Sequence, residues 1–295
     1  MLLPFAALAG MFSHPFMRYA FLAGTAVAVA SGLVGYFAVL RSQMFVGDAL
    51  SHAAFTGAFA ALVVGLDARL GLFIITVAVA LGMGLLGSRG HADDVVIGSV
   101  FAWVLGLGVL LLAIYTTERS TTNGAAGPAI LFGSIFGLTA ASAGIAALLA
   151  LVTAGVLLII ARPLLFASVD EAVAAAQGVP VRALSLGFLA LIALTTAEST
   201  QVVGALLLLG LLAAPAAAAQ RLTTRPFRGL ALAAVLAVAA VWVGLTVSYA
   251  APRLPPSFAV IACAALPYAA IALVPGVVRR LRRRSASRIA TEAAV

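Results

Sequence analysis

The chain has 295 residues, of which 64% are apolar and only 9% charged. Apolar runs that approach or exceed the ~18 residues suggesting a spanning helix recur along it, which excludes an ordinary water-soluble domain. The formal charge of +8 does not point to nucleic acid, because most arginines sit between apolar runs or in the tail from Arg279 to Arg288, where they read as topology signals.

No polar linker or second soluble block interrupts the pattern, so residues 1–295 are expected to form one all-α transmembrane domain. Residues 1–16 are apolar but lack a basic n-region, which argues for a retained interfacial segment over a cleaved signal peptide. All 17 basic residues are arginine, so the chain has no Walker A lysine, and any ATP must be handled by a partner. Cys263 is the single cysteine and can form no intrachain disulfide.

Taken in order, the first apolar segment covers 17–39 and ends at Arg41. The second, 46–66, opens with Gly47-Asp48-Ala49-Leu50-Ser51-His52. Asp48 and His52 are four residues apart, so on a helix they share a face. Ionisable groups inside a membrane usually line a pathway or pair within the bundle, so the two are read as a cation path. The third segment is 70–87 and the fourth 94–116, preceded by Asp93-Asp94, which are expected to initiate that helix by capping it. His14 and His91 lie near predicted membrane boundaries and are read as structural or interfacial. The stretch 128–138 is too short to cross and is expected to be a short external helix or a re-entrant piece.

The fifth segment, 140–161, leads into a connection at 163–182. Within it Ser168 and Glu171 fit a capping box. Asp170 and Glu171 place negative charge in a first helical turn. Gly178 suits a left-handed C-terminal position and Pro180 prevents continuation. A two-turn helix is expected there, folded as a docking surface would be. The sixth segment, 183–198, ends at Glu198, read either as a solvated boundary residue or as an acid that attracts cations at the mouth. The last three segments are 201–221, 229–249 and 257–276, followed by a basic tail at 277–295. The count is about nine, within a bracket of eight to ten. The tail arginines put the C-terminus in the cytoplasm, and counting back puts the 163–182 connection there too.

Four stretches resemble the membrane permease subunit of bacterial ATP-binding-cassette importers for manganese, zinc or iron. They are Leu40 to Gly57, containing Gly47-Asp48-Ala49-Leu50-Ser51-His52-Ala53; Asp93-Asp94-Val95-Val96-Ile97-Gly98; Ser168 to Arg182; and Val202 to Ala217. Thr56, where members often carry Pro, and Glu198 depart from the family pattern. The resemblance implies an architecture similar to the type II importers for vitamins and siderophores, in the bacterial cytoplasmic membrane. It also implies a homodimer, two cytoplasmic ATPases that carry the ATP, an external metal-binding protein, and a coupling role for the stretch holding Ser168, Asp170, Glu171 and Gly178. No covalent cofactor is implied; the metal is cargo.

The residues agree with that chemistry. A carboxylate with a neutral imidazole suits borderline first-row divalent cations better than copper(I) or calcium. Two ligands per chain do not close a site, which leaves a two-fold partner or water to complete it. An intramembrane hydrolase using Asp48 or His52 is the alternative, but it lacks a second catalytic acid or the third protein ligand of a zinc centre.

Overall fold

The computed structural model describes residues 10–87, 94–123, 130–205 and 208–273. Among these residues there are ten α-helices and no strand. They are α1 (Pro15–Leu40), α2 (Met44–Val64), α3 (Ala68–Leu86), α4 (Asp94–Asn123), α5 (Ala140–Val169), α6 (Glu171–Ala176), α7 (Val181–Val202), α8 (Leu208–Leu222), α9 (Pro226–Ala250) and α10 (Pro256–Leu273). Eight are long and apolar enough to cross a membrane, and α8, at 15 residues, is shorter.

Burial is uneven, as expected where lipid replaces water as the outer solvent. Helices α1, α2 and α7 form the interior, while the outer faces of α4, α5 and α10 present residues such as Trp103, Ile159 and Leu266. Interior contacts depend on small residues, because backbones in a membrane bundle gain by close approach. A Cβ on Gly57 would lie 2.3 Å from the Gly71 carbonyl oxygen, and one on Gly71 would lie 2.1 Å from that of Gly57. This reciprocal contact holds α2 on α3.

The seventh expected segment, 201–221, is corrected. Helix α7 runs on to Val202, and α8 begins only at Leu208. Between them Gly204 takes φ +98°, a left-handed conformation that ends the helix. The break is paired with residues 130–138 of the expected short stretch, which reach it with Gly133 at φ +75° and a 3-10 turn at Ile135–Gly137. Backbone amides bridge the two: Ser134 N donates to Gln201 O at 3.3 Å, and Ala205 N to Ile130 O at 3.4 Å. The expected short piece is therefore present and packed on a discontinuous helix.

The connection after α5 is corrected in one respect. Ser168 is not the cap of α6. Helix α5 continues to Val169, so the Ser168 hydroxyl donates back to Leu164 O at 2.5 Å. The cap is Asp170, whose Oδ1 accepts from Val173 N at 3.0 Å. Gly178 has the expected left-handed φ of +83°. Its amide donates to Ala175 O at 3.0 Å and that of Val179 to Ala174 O at 3.1 Å, the paired bonds of a Schellman stop. The expected helix thus exists, with six residues.

Candidate functional site

Asp48 and His52 both lie on α2, partly buried, one turn apart. Asp48 lines a cavity of about 440 Å³ between α2 and α4, together with Phe45, Ala49, Asp94, Ile97 and Phe101. His52 meets the edge of Phe101, with ring centroids 5.1 Å apart. The structure therefore brings Asp94 into the cavity that Asp48 lines. Asp94 is the first residue of α4 and is exposed. Sequence alone gives Asp93-Asp94 a capping role, and the structure adds the place of Asp94 on the cavity wall. His91, Asp93 and the tail lie outside the described residues.

Thr56 fixes how α2 sits on α4. Its Oγ1 is 2.9 Å from His52 O and 2.8 Å from Val104 O, so one hydroxyl proton is shared between the carbonyl of the histidine and the facing helix. Opposite it, Gly108 leaves no room for a side chain, since a Cβ there would come within 2.4 Å of Thr56 Oγ1. The departure from Pro thus supplies an interhelical hydrogen bond next to His52.

The turn before α2 is tied to α5 and α7 through Arg41. Arg41 Nη2 donates to Ser185 Oγ at 2.9 Å and Nη1 to Ser168 Oγ at 3.2 Å, and the guanidinium stands 5.7 Å from the Phe188 ring. Ser185 and Phe188 belong to the N-terminal part of α7, so the Arg41 side chain ties the end of α1 to the start of α7. Burial lowers the Arg41 pKa and the Glu171 carboxylate opposes that shift; an arginine stays charged in either case. One cation therefore links the α1–α2 turn to both Ser168 and the first residue of α6.

Glu198, on α7, is 1% exposed, which rules out the solvated-boundary reading. It lies near the C-terminal end of α7, towards the end of the bundle opposite α6, and does not line the Asp48 cavity. Among the described residues, no group of three or more His, Cys, Asp or Glu side chains is close enough to hold a metal ion.

A polytopic helical bundle with a carboxylate and an imidazole on one buried helix, and a capped helix latched beneath it, defines a membrane transport protein. The chain belongs to the ABC 3 transport family, whose model matches residues 13–274. It is 27% identical over 178 residues to the manganese transport system membrane protein MntC of Listeria innocua, covering 60% of this chain and 61% of that one. It is 30% identical over 175 residues to MntC of Halalkalibacterium halodurans, covering 59% and 58%. The chain thus spans about 60% of the length of these relatives in the matched regions. Among solved structures, PsaBC from Streptococcus pneumoniae in complex with Fab superposes with a TM-score of 0.76 at 25% identity, covering 89% of this chain and 93% of that one.

Proposed function

We propose that this chain is the membrane permease subunit of an ATP-driven importer of divalent transition-metal ions, and that Asp48 and His52 are its metal contacts. The observation that carries the proposal is the 440 Å³ cavity between α2 and α4, lined by Asp48 and Asp94, with His52 against its Phe101 wall. The relatives' names, with manganese in both, support the cargo class. The donor pair itself does not separate manganese from zinc or iron(II), which share these ligand types.

In this reading Asp94, at the exposed mouth, draws cations towards Asp48. Asp48 and His52 hold the ion loosely, because a conducting site must also release it. A second copy of the chain across a two-fold axis, or water, completes the shell. ATP is hydrolysed on separate cytoplasmic ATPases, an external binding protein delivers the ion, and the protein is a multi-pass component of the cytoplasmic membrane with its C-terminus inside. Helix α6, with Asp170 and Gly178 as its start and stop and Ser168 and Glu171 beside Arg41, receives the ATPase stroke and passes it to the α1–α2 turn. The intramembrane hydrolase alternative gains no support, since the family match is to a transport family and no three-ligand cluster stands among the described residues.

The deciding experiment reconstitutes the complete complex in proteoliposomes and follows ATP-dependent manganese uptake. Asp48→Asn and His52→Gln keep size and hydrogen-bonding capacity while weakening ligation. Both are expected to abolish uptake in complexes that still assemble and hydrolyse ATP. Near-normal uptake by both would overturn the assignment.

A further inference from the structure

The opposite end of the bundle holds a second acidic feature, independent of Asp48. Glu198 is 1% exposed, and neither carboxylate oxygen has a hydrogen-bond partner. It lines a cavity of about 280 Å³ at the meeting of α3, α5 and α7, together with Asp67, Arg69, Ser142 and Gln201. The basic group there, the Arg69 guanidinium, donates to Ser142 Oγ on the cavity wall and not to Glu198, and Ser142 in turn shares a hydrogen bond with Thr139 Oγ1 at 2.7 Å. Asp67 accepts from the Arg69 backbone amide at 2.8 Å and caps α3.

A buried carboxylate with no donor is strongly disfavoured unless it takes up a proton or a cation. The surroundings favour a cation. The other donors lining the cavity are the Asp67 carboxylate, the Ser142 hydroxyl and the Gln201 side-chain amide, an all-oxygen set suited to hard divalent ions such as manganese. The helix is also unusually polar around it, with Thr195, Thr196, Ser199 and Thr200 all buried. The Thr196 hydroxyl, like Glu198, lacks a partner. Glu198 is 17 residues into α7, whereas Asp48 is four residues into α2. Gly47 faces Ile192, and Ala54 and Ala58 pack with Ala197, so along these helices Glu198 lies beyond Asp48 and His52, nearer the end opposite α6.

We propose that Glu198 anchors a second divalent-cation site, an all-oxygen entry station at the end of the bundle opposite α6, occupied before the ion reaches Asp48 and His52. It rests on the reading that divalent ions cross this bundle, and it assigns Glu198 a ligand role that the Asp48 cavity does not require.

The test is direct Mn²⁺ binding to the purified complex with its ATPase, read as loss of the free-ion electron paramagnetic resonance signal between micromolar and millimolar Mn²⁺. The background is the double variant Asp48→Asn/His52→Gln, which removes the other site. About one Mn²⁺ per chain is expected to persist in that background. Adding Glu198→Gln should weaken that binding at least tenfold, and adding Glu198→Asp should preserve it in part. Glutamine mimics a protonated glutamate, so a purely structural, proton-bearing Glu198 would leave the isotherm unchanged. Superimposable isotherms with and without Glu198→Gln, or no bound Mn²⁺ in the background, would overturn the inference. A Glu198-dependent site in a complex whose Asp48 and His52 variants still import manganese would sustain this inference and sink the earlier proposal.

Discussion

At the scale of single residues, Thr56 and Arg41 make separable predictions. Removing the Thr56 hydroxyl frees the His52 and Val104 carbonyls in a dry interior. Interhelical hydrogen bonds in membrane bundles are worth ~0.6 kcal/mol on average and up to ~1.7, so Thr56→Val should destabilise by about 1 kcal/mol in a reversible denaturation assay in bicelles. Arg41→Lys keeps the charge but loses the planar fork that reaches Ser168 and Ser185 together. It should lower manganese transported per ATP hydrolysed, Arg41→Gln should lower it further, and the complex should assemble in both. Wild-type stoichiometry in Arg41→Gln would remove the latch from the coupling route. The Asp48 and His52 pair was legible in the sequence because an ionisable i, i+4 pair stands out in an apolar run. The placement of Asp94 in the Asp48 cavity was not, since it depends on how α4 leans on α2. Nor was the burial of Glu198, because the apolar and small residues around it do not reveal which face turns inward.

At the scale of elements, the sequence identified all eight long helices, since runs of apolar residues bounded by arginine, glycine or proline leave little choice. It misplaced the cap of α6, because Ser168 and Asp170 are both good N-caps and only the extension of α5 through Val169 decides between them. Asp170→Ala should cost α6 about 1 kcal/mol. Ala175→Pro should cost ~3 kcal/mol, because it removes an interior amide donor and clashes with the preceding turn. In co-purification with the ATPase, the proline variant should lose the subunit or hydrolyse ATP without transport, while Asp170→Ala retains partial coupling. The reciprocal Gly57 and Gly71 contact carries a further expectation. Gly57→Ala must push the α2 and α3 backbones apart and should lower the thermal midpoint in detergent by several degrees, whereas Gly82→Ala, with open space at its Cβ position, should leave it unchanged.

At the scale of the whole molecule, hydrogen bonding divides the bundle into two ends. Arg41, Ser168 and Ser185 meet at one, and Asp67, Arg69, Ser142 and Gln201 gather at the other. In the proposed orientation, drawn from the positive-inside bias, the first end faces the cytoplasm. Ala174 is fully buried, but Ala172 is exposed, so a cysteine at Ala172 is a fair reporter. With Cys263 replaced, it should resist an impermeant maleimide in intact cells and react after permeabilisation. The sequence reading set the break between α7 and α8 a few residues early, at 199–200, because Val202 to Leu212 is apolar apart from glycine and contact with a distant glycine decides where α7 stops. A Cβ on Gly133 would lie 2.5 Å from the Val203 carbonyl carbon, and one on Gly204 would lie 2.3 Å from that of Phe132. Interrupted helices ordinarily leave amides open to solvent, but here the Ser134 and Ala205 amides are answered by carbonyls across the break. In deuterated buffer these two amides should therefore exchange as slowly as those within the neighbouring helices, so that isotope uptake at these two positions would not register the interruption.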